Sequence, residues 1–174
     1  MPGGGKSTIG RHLARRLNRD FVDSDAVIER RVGSSVRAFF EREGESAFRD
    51  IEQQVIAEVS DQPNTVLATG GGVVLREANR TILSRSSVVV YLRSTPEDIY
   101  RRLRHDVKRP LLQTADPLAR LRDMHAVRDP LYREVAHFSI ETGRPSVQTL
   151  VNMILMQLEL AGVVDASQVP SPID

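Results

Sequence analysis

Apolar residues recur along this chain at two spacings, and the two alternate. Between 7 and 18, Ile9, Leu13 and Leu17 fall four apart with arginines on the other faces, the period of an amphipathic helix. Phe21-Val22 is a short apolar pair ending in Asp23-Ser24-Asp25, which reads as a strand running into a loop. Helices are predicted over 25–31, 35–43 and 45–60. The last carries Phe48, Ile51, Val55, Ile56 and Val59 as one stripe, and Gly44 separates it from its predecessor as a C-terminal stop. Thr65 to Thr69 is a buried-type strand that meets Gly70-Gly71-Gly72, and Ser87 to Leu92 carries the strongest strand signal. Thr95-Pro96-Glu97-Asp98 supplies an N-cap, a proline at the first helical position and two acids in the first turn, opening a helix to about Arg104. Residues 105–116 form a polar loop of lid length containing Arg109-Pro110. A helix from 117 is expected to be disturbed at Pro130, because proline biases Asp129 away from α geometry. Phe138 to Glu141 is a final strand, Gly143-Arg144-Pro145 a turn, and 146–160 a last helix with Val147, Leu150, Val151, Ile154, Leu155 and Leu158. Strands alternating with helices predict an α/β domain with a mainly parallel sheet.

Composition narrows the partners. The 174 residues suffice for one domain, read as 1–162, with a disordered tail over 163–174 where two prolines fall. A net charge of +1 argues against duplex nucleic acid, which needs a strong basic excess. There is no cysteine, so disulfides, thiolate catalysis and cysteine zinc sites are excluded. His12, His105, His125 and His137 show no metal-ligand spacing. The most apolar run, Val151 to Val164, is broken by Asn152, Gln157 and Glu159 and is too short to span a bilayer. The opening Met-Pro-Gly-Gly-Gly lacks the basic-then-apolar order of a signal peptide. The expectation is a cytoplasmic monomer with no membrane or nucleic-acid partner. Lys6 and Lys108 are the only lysines among 24 basic residues. Arginine forks suit phosphate and carboxylate, although codon bias accounts for the same skew.

The chemistry starts at Gly5-Lys6-Ser7-Thr8, which opens the first helix and matches the second half of the phosphate-binding pattern G-x-x-x-x-G-K-[ST]. Glycines Gly3, Gly4 and Gly5 let backbone N–H groups approach phosphate oxygens, and the helix start adds partial positive charge. Lys6 can reach the β and γ phosphates, and Ser7 can hold Mg²⁺. Asp23 and Asp25, two apart at a strand end, leave on one face: one can support a metal, the other accept a proton from a hydroxyl. A plain helix cap is the alternative for Asp23. Gly70-Gly71-Gly72 offers close approach to a small ligand. Arg49, Arg109 and Arg128 are anion-binding candidates that carry weight only together.

Taken in order, Gly5-Lys6-Ser7-Thr8, Asp23-x-Asp25, Phe48-Arg49, Gly70-Gly71-Gly72, Arg109-Pro110-Leu111-Leu112 and Arg128-x-Pro130-Leu131-Tyr132 resemble the shikimate kinase family over about 1–160. The resemblance implies a three-layer P-loop kinase fold with a parallel five-stranded sheet in family order 2-3-1-4-5. It implies ATP and Mg²⁺ as cofactors and phosphorylation of shikimate at its 3-hydroxyl, a step towards chorismate and the aromatic amino acids. By it, Gly3, Gly4, Gly5, Lys6, Ser7 and Thr8 hold the ATP phosphates, Ser7 ligates Mg²⁺ and Asp23 supports it. Asp25 binds the substrate hydroxyls as base or orienter. Arg49 and Arg128 grip the substrate carboxylate with help from Gly70, Gly71 and Gly72. Arg109 bridges the transferring phosphoryl group from the lid, and Arg102 and Arg144 lie near the adenine. A gluconate- or nucleotide-type P-loop kinase and a non-catalytic nucleotide-binding domain are the competing readings. The leading glycine of the phosphate loop falls one position before Met1, and the strand that feeds the loop in the family is missing from this chain. Five buried side chains at roughly 1.5–3 kcal/mol each rival the ~5–15 kcal/mol stability of a whole domain. The chain is therefore expected to be a truncated form of a longer enzyme, unstable and weakly active.

Overall fold

The computed structural model describes residues 5–105 and 113–168, and within them the alternation of helix and strand holds. Helix α1 (Lys6–Arg16) leads to strand β1 (Asp20–Asp23), helices α2 (Ser24–Val32), α3 (Val36–Glu43) and α4 (Glu45–Val59), and strand β2 (Thr65–Ala68). A 3-10 turn (Gly71–Leu75) and α5 (Glu77–Ser86) follow, then β3 (Val90–Arg93), α6 (Pro96–Leu103), α7 (Pro117–Val135), β4 (Phe138–Glu141), α8 (Val147–Leu160) and a 3-10 turn (Ala166–Gln168). Asp23, Ser35, Thr95, Asp116 and Ser146 cap the helices that follow them by accepting backbone N–H groups. Gly33 closes α2 at φ 72°, a conformation that favours glycine.

The strands pair in parallel, β1 with β2 (Asp20 opposite Thr65) and β3 with β4 (Val90 opposite Phe138). Among the described residues these are two separate two-stranded sheets, where the family resemblance implied one sheet of five strands lacking its first. Side chains alternate between two cores, as the strand period of two requires. Val66, Val90, Leu92 and Ile140 pack with Ile9, Leu13, Val151 and Ile154 of α1 and α8. Leu67 and Tyr91 face the opposite core, with Ile56, Leu83, Ile99 and Leu121. Helices thus cover both strand faces, the three-layer α/β arrangement.

Three features depart from the sequence reading. Helix α7 runs unbroken through Pro130. The proline removes one intrahelical bond, but Asp129 accepts from Tyr91 Oη and Arg133 Nε, each at 2.8 Å, and Leu121, Tyr132 and Val135 are buried on either side. Helix α5 had no sequence signal. It is tied down by Asn79, wholly buried, whose Nδ2 donates to Val73 O at 3.0 Å, and by buried Leu83. The tail expected to be disordered from 163 is instead packed at its start: Val164 is buried beside Leu158 and donates to Leu158 O at 3.4 Å.

Candidate functional site

The site forms at the carboxyl ends of β1 and β2, against the start of α1. Gly5 precedes α1 with φ 70°, so the chain enters the helix by a turn that favours glycine. Lys6 occupies the first helical position, followed by Ser7 and exposed Thr8. Ser7 Oγ donates to Asp23 Oδ2 at 2.7 Å. The other oxygen of Asp23 accepts the Asp25 and Ala26 N–H groups at 3.0 and 3.4 Å. Asp23 is thus both the helix cap and the neighbour of the loop hydroxyl, and the two readings of its sequence position hold together.

Asp25 sits in the first turn of α2, with Oδ1 buried and without a hydrogen-bond partner among the described residues. Burial, then the charges of Asp23, Glu52 and Glu29, push its carboxyl up to about 6, against the opposing pull of Lys6. Lys6 in turn is held below its ordinary value by burial and by the Arg128 charge, while Asp25 and Asp23 draw it back up. Lys6, Asp23, Asp25 and Arg128 therefore lie within electrostatic reach of one another.

Two of the three glycines, Gly70 and Gly72, explain how the charged side chains come so close to the backbone. A Cβ at Gly70 would stand 3.0 Å from Asp25 Oδ1, and one at Gly72 would run into the Arg49 guanidinium. The glycines thus make room for the protein's own carboxylate and guanidinium, in addition to any ligand. Arg49 is held by Glu52, its Nη1 bonding Oε1 at 2.9 Å, and lies over the Phe48 ring at 5.1 Å. Tyr132 Oη donates to Gly71 O at 2.5 Å and stacks on Tyr91 with ring centroids 4.8 Å apart, and Arg128 is hydrogen-bonded to it. Arg128, one helical turn before Tyr132 on α7, is brought to the glycine segment by that packing.

Arg102 and Arg144 lie elsewhere, at the carboxyl end of β4. Arg102 Nη2 donates to Thr142 O at 3.2 Å, two residues before exposed Arg144. Gly3, Gly4, Arg109 and Pro110-Leu111-Leu112 lie outside the described residues, as does most of the expected lid. Among the described residues no group of three or more His, Asp or Glu side chains could hold a metal ion, and no helix is long and apolar enough to cross a membrane.

A family model for shikimate kinase matches residues 2–159. The chain belongs to the shikimate kinase family. It is 58% identical over 175 residues to a shikimate kinase of Paracidovorax citrulli, covering 99% of this chain and 93% of that one. It is 59% identical over 164 residues to one of Burkholderia thailandensis, covering 94% and 89%. Its fold superposes on the shikimate kinase of Acinetobacter baumannii solved in complex with shikimate, with a TM-score of 0.86 and 45% identity over 94% of this chain and 90% of that one. At 28% identity, the Aquifex aeolicus shikimate kinase still superposes with a TM-score of 0.78 over 94% of each chain.

Two residues of this shikimate kinase site were missed by the sequence reading. Glu52 is 1% exposed, and its Oε2 has no hydrogen-bond partner among the described residues. Burial raises its carboxyl pKa, with Arg49 opposing. The signal was present: Glu52 interrupts the α4 stripe, four after Phe48 and three before Val55, where an acid has no place unless a cation meets it. Tyr132 stood inside a quoted motif, but nothing in its spacing announced the Gly71 carbonyl.

Proposed function

We propose that the protein transfers the terminal phosphoryl group of ATP to the 3-hydroxyl of shikimate, with the work divided among the residues gathered beside β1 and β2. Family membership makes the chain an ATP-dependent kinase of shikimate; the division of labour is read from its side chains. The N–H groups of Gly5, Lys6, Ser7 and Thr8, with Gly3 and Gly4 before them, cradle the phosphates at the start of α1, and the Lys6 ammonium neutralises charge there. Ser7 and Asp23 place a hydroxyl and a carboxylate side by side. Such hard oxygens suit Mg²⁺, which takes few protein ligands beside phosphate and water. Bound there, Mg²⁺ would offset charge on the β and γ phosphates.

Asp25 orients the attacking hydroxyl and takes its proton. A carboxyl raised to about 6 is ionised at neutral pH yet is a stronger base than an ordinary aspartate. Arg49 and Arg128 grip the substrate carboxylate, and Gly70 to Gly72 let it approach. Arg109 closes from the lid, and Arg102 and Arg144 flank the adenine. Alignment and charge neutralisation supply most of what phosphoryl transfer needs. The finer architecture is a five-stranded sheet in order 2-3-1-4-5, the first strand's place lying between β2 and β3, in a monomeric cytoplasmic domain 1–162.

The observation that carries this reading is that Asp25 and Arg49, one base and one anion anchor, abut the same three-glycine segment beside the Ser7–Asp23 pair. Coupled ADP release tests it with shikimate against gluconate and nucleoside monophosphates. Shikimate is expected to be the sole good acceptor; a shikimate rate no higher than background rejects the assignment.

A further inference from the structure

Arg128 and Tyr132 lie four apart on α7, so they share one face of the helix. The Tyr132 hydroxyl is used in both directions. It accepts from the Arg128 guanidinium, which can only donate, and it donates to Gly71 O at 2.5 Å. Burial raises the pKa of the phenol, with the Arg128 and Arg49 charges opposing, so the proton stays on the oxygen at neutral pH. The Gly71–Gly72 peptide is trans, and one planar unit carries the Gly71 carbonyl and the Gly72 N–H on opposite sides. Holding the carbonyl therefore holds the N–H as well. Arg49 lies against that same Gly72.

The ring of Tyr132 is fixed by other means. It is buried and stacks on Tyr91, whose Oη donates to Asp129, the neighbour of Arg128, at 2.8 Å. Asp129 also accepts from Arg133 Nε and lies 3.7 Å from His125 Nε2. These contacts hold α7 against β3, and none of them needs a hydroxyl on Tyr132. Phenylalanine would pack there as well. What the hydroxyl adds is a link between a long, rotamer-rich guanidinium and a glycine backbone, the two kinds of group that lose most freedom when ordered.

We propose that Tyr132 is a positioning residue for the substrate carboxylate. Its hydroxyl sets the Arg128 guanidinium and the Gly71–Gly72 peptide in place relative to each other before the substrate arrives, so that less ordering remains to be done on binding. This rests on the reading of Arg128 as a carboxylate anchor, and the test separates the two.

The test compares shikimate with the alcohol in which its carboxyl is reduced to hydroxymethyl, which keeps the acceptor 3-hydroxyl. Tyr132→Phe is expected to raise the KM for shikimate about fivefold, the scale of one net hydrogen bond. Little change is expected in kcat, and none in the KM for the alcohol. On an Arg128→Ala background the same substitution is expected to add nothing. An unchanged KM for shikimate, equal rises for both substrates, or additive effects in the double variant overturns the proposal while leaving the anchor reading intact. A wild-type KM in Arg128→Ala alone rejects the anchor reading, and the proposal with it. Tyr91→Phe supplies the structural comparison: it is expected to melt lower with the KM for shikimate unchanged. A rise as large as that of Tyr132→Phe would reduce both to a loosened α7 and overturn the proposal. A second arm needs no substitution at Tyr132. The chain has three tyrosines, and with each labelled at the ring carbon that bears the hydroxyl, the Tyr132 NMR signal is expected to move with shikimate and stay put with the alcohol. A signal that answers to both or to neither overturns the proposal.

Discussion

The carboxyl ends of the two strand pairs both bury polar side chains, to opposite effect. Beyond β3 and β4, Ser94 and Thr142 are 2% and 5% exposed, hydrogen-bond to each other, and are tied down further by Thr142 Oγ1 donating to Arg93 O at 3.1 Å. Beyond β1 and β2, Ser24 Oγ, Asp25 Oδ1 and, on neighbouring α4, Glu52 Oε2 are buried with no hydrogen-bond partner among the described residues. A buried polar group left unpaired costs ~1–3 kcal/mol. The first end is satisfied by the chain itself. The second keeps polar capacity in reserve, at a cost to the fold, and that is where a ligand rich in hydroxyl and carboxylate groups has most to offer.

The largest effect expected from breaking this contrast is that of Asp25→Asn. Losing a positioned base lowers kcat by roughly 10²–10⁴. The stability effect runs the other way. The native carboxyl titrates at about 6 against an ordinary 3.8, so the folded chain holds this proton more tightly than the unfolded one. Ionisation therefore destabilises the fold as pH rises from 3.8 through about 6, and the full penalty stands above that. Asparagine never ionises, so the variant is expected to melt higher than wild type at pH 7.5, an advantage that shrinks towards pH 4. Thermal melts at the two pH values check the sign. A variant that melts lower at pH 7.5 shows that Asp25 stabilises the fold rather than straining it.

The opposite end answers to the opposite substitution. Ser94→Ala removes one half of a satisfied pair and is expected to destabilise by ~1–3 kcal/mol in urea unfolding. The KM for shikimate is expected to stay unchanged, because the two hydroxyls are already taken up by each other and by Arg93 O. A shift in KM with no loss of stability would make Ser94 part of the substrate site.

How much of this was legible beforehand divides along the same line. Apolar period announced α1, α4 and α8, and the cap and first-turn residues announced α6, because stripes and caps are local facts. Thr95-Pro96 is the clearest case, the threonine Oγ1 accepting from Asp98 N at 3.1 Å. Helix α5 was not legible: only Ile82 and Leu83 are apolar toward its end, and burial of Asn79 against the Val73 carbonyl is a tertiary event. The continuation of α7 through Pro130 was not legible either, because the local rule is outweighed by anchors from β3. At the site, residue types and order pointed to Lys6, Asp25 and Arg49. The use of Gly70 and Gly72 as clearance for the chain's own side chains could not be read from spacing, since it depends on where α2 and α4 place their charges.

That clearance sets the next prediction. Gly72→Ala places a methyl group against the Arg49 guanidinium, which must swing away from its Glu52 partner. The KM for shikimate is expected to rise about tenfold, the scale of losing one charge-assisted hydrogen bond at ~1.5–3 kcal/mol. Since Asp25 and Lys6 are untouched, kcat is expected to change little. A fall in kcat with KM unchanged would place Arg49 at the phosphoryl group instead of the carboxylate.

The smallest effect is the most diagnostic, because it asks whether the buried acids of the β1–β2 end act on each other. With Asp25 raised to about 6, kcat/KM for shikimate is expected to lose activity below pH 6 rather than near pH 4. The Glu52 charge is one cause of that rise, after burial and Asp23. Glu52→Gln removes it, so Asp25 ionises more readily and the acid limb moves to lower pH. At pH 5 the variant should retain more of its own plateau kcat/KM than wild type retains, because a larger fraction of its Asp25 is ionised there. The plateau itself falls, because Arg49 loses the carboxylate that holds it at 2.9 Å. The two effects separate on the pH axis: lost positioning lowers the whole profile, whereas lost charge displaces its limb. A profile that drops without moving would confine Glu52 to holding Arg49 and leave burial and Asp23 as what keeps Asp25 a strong base.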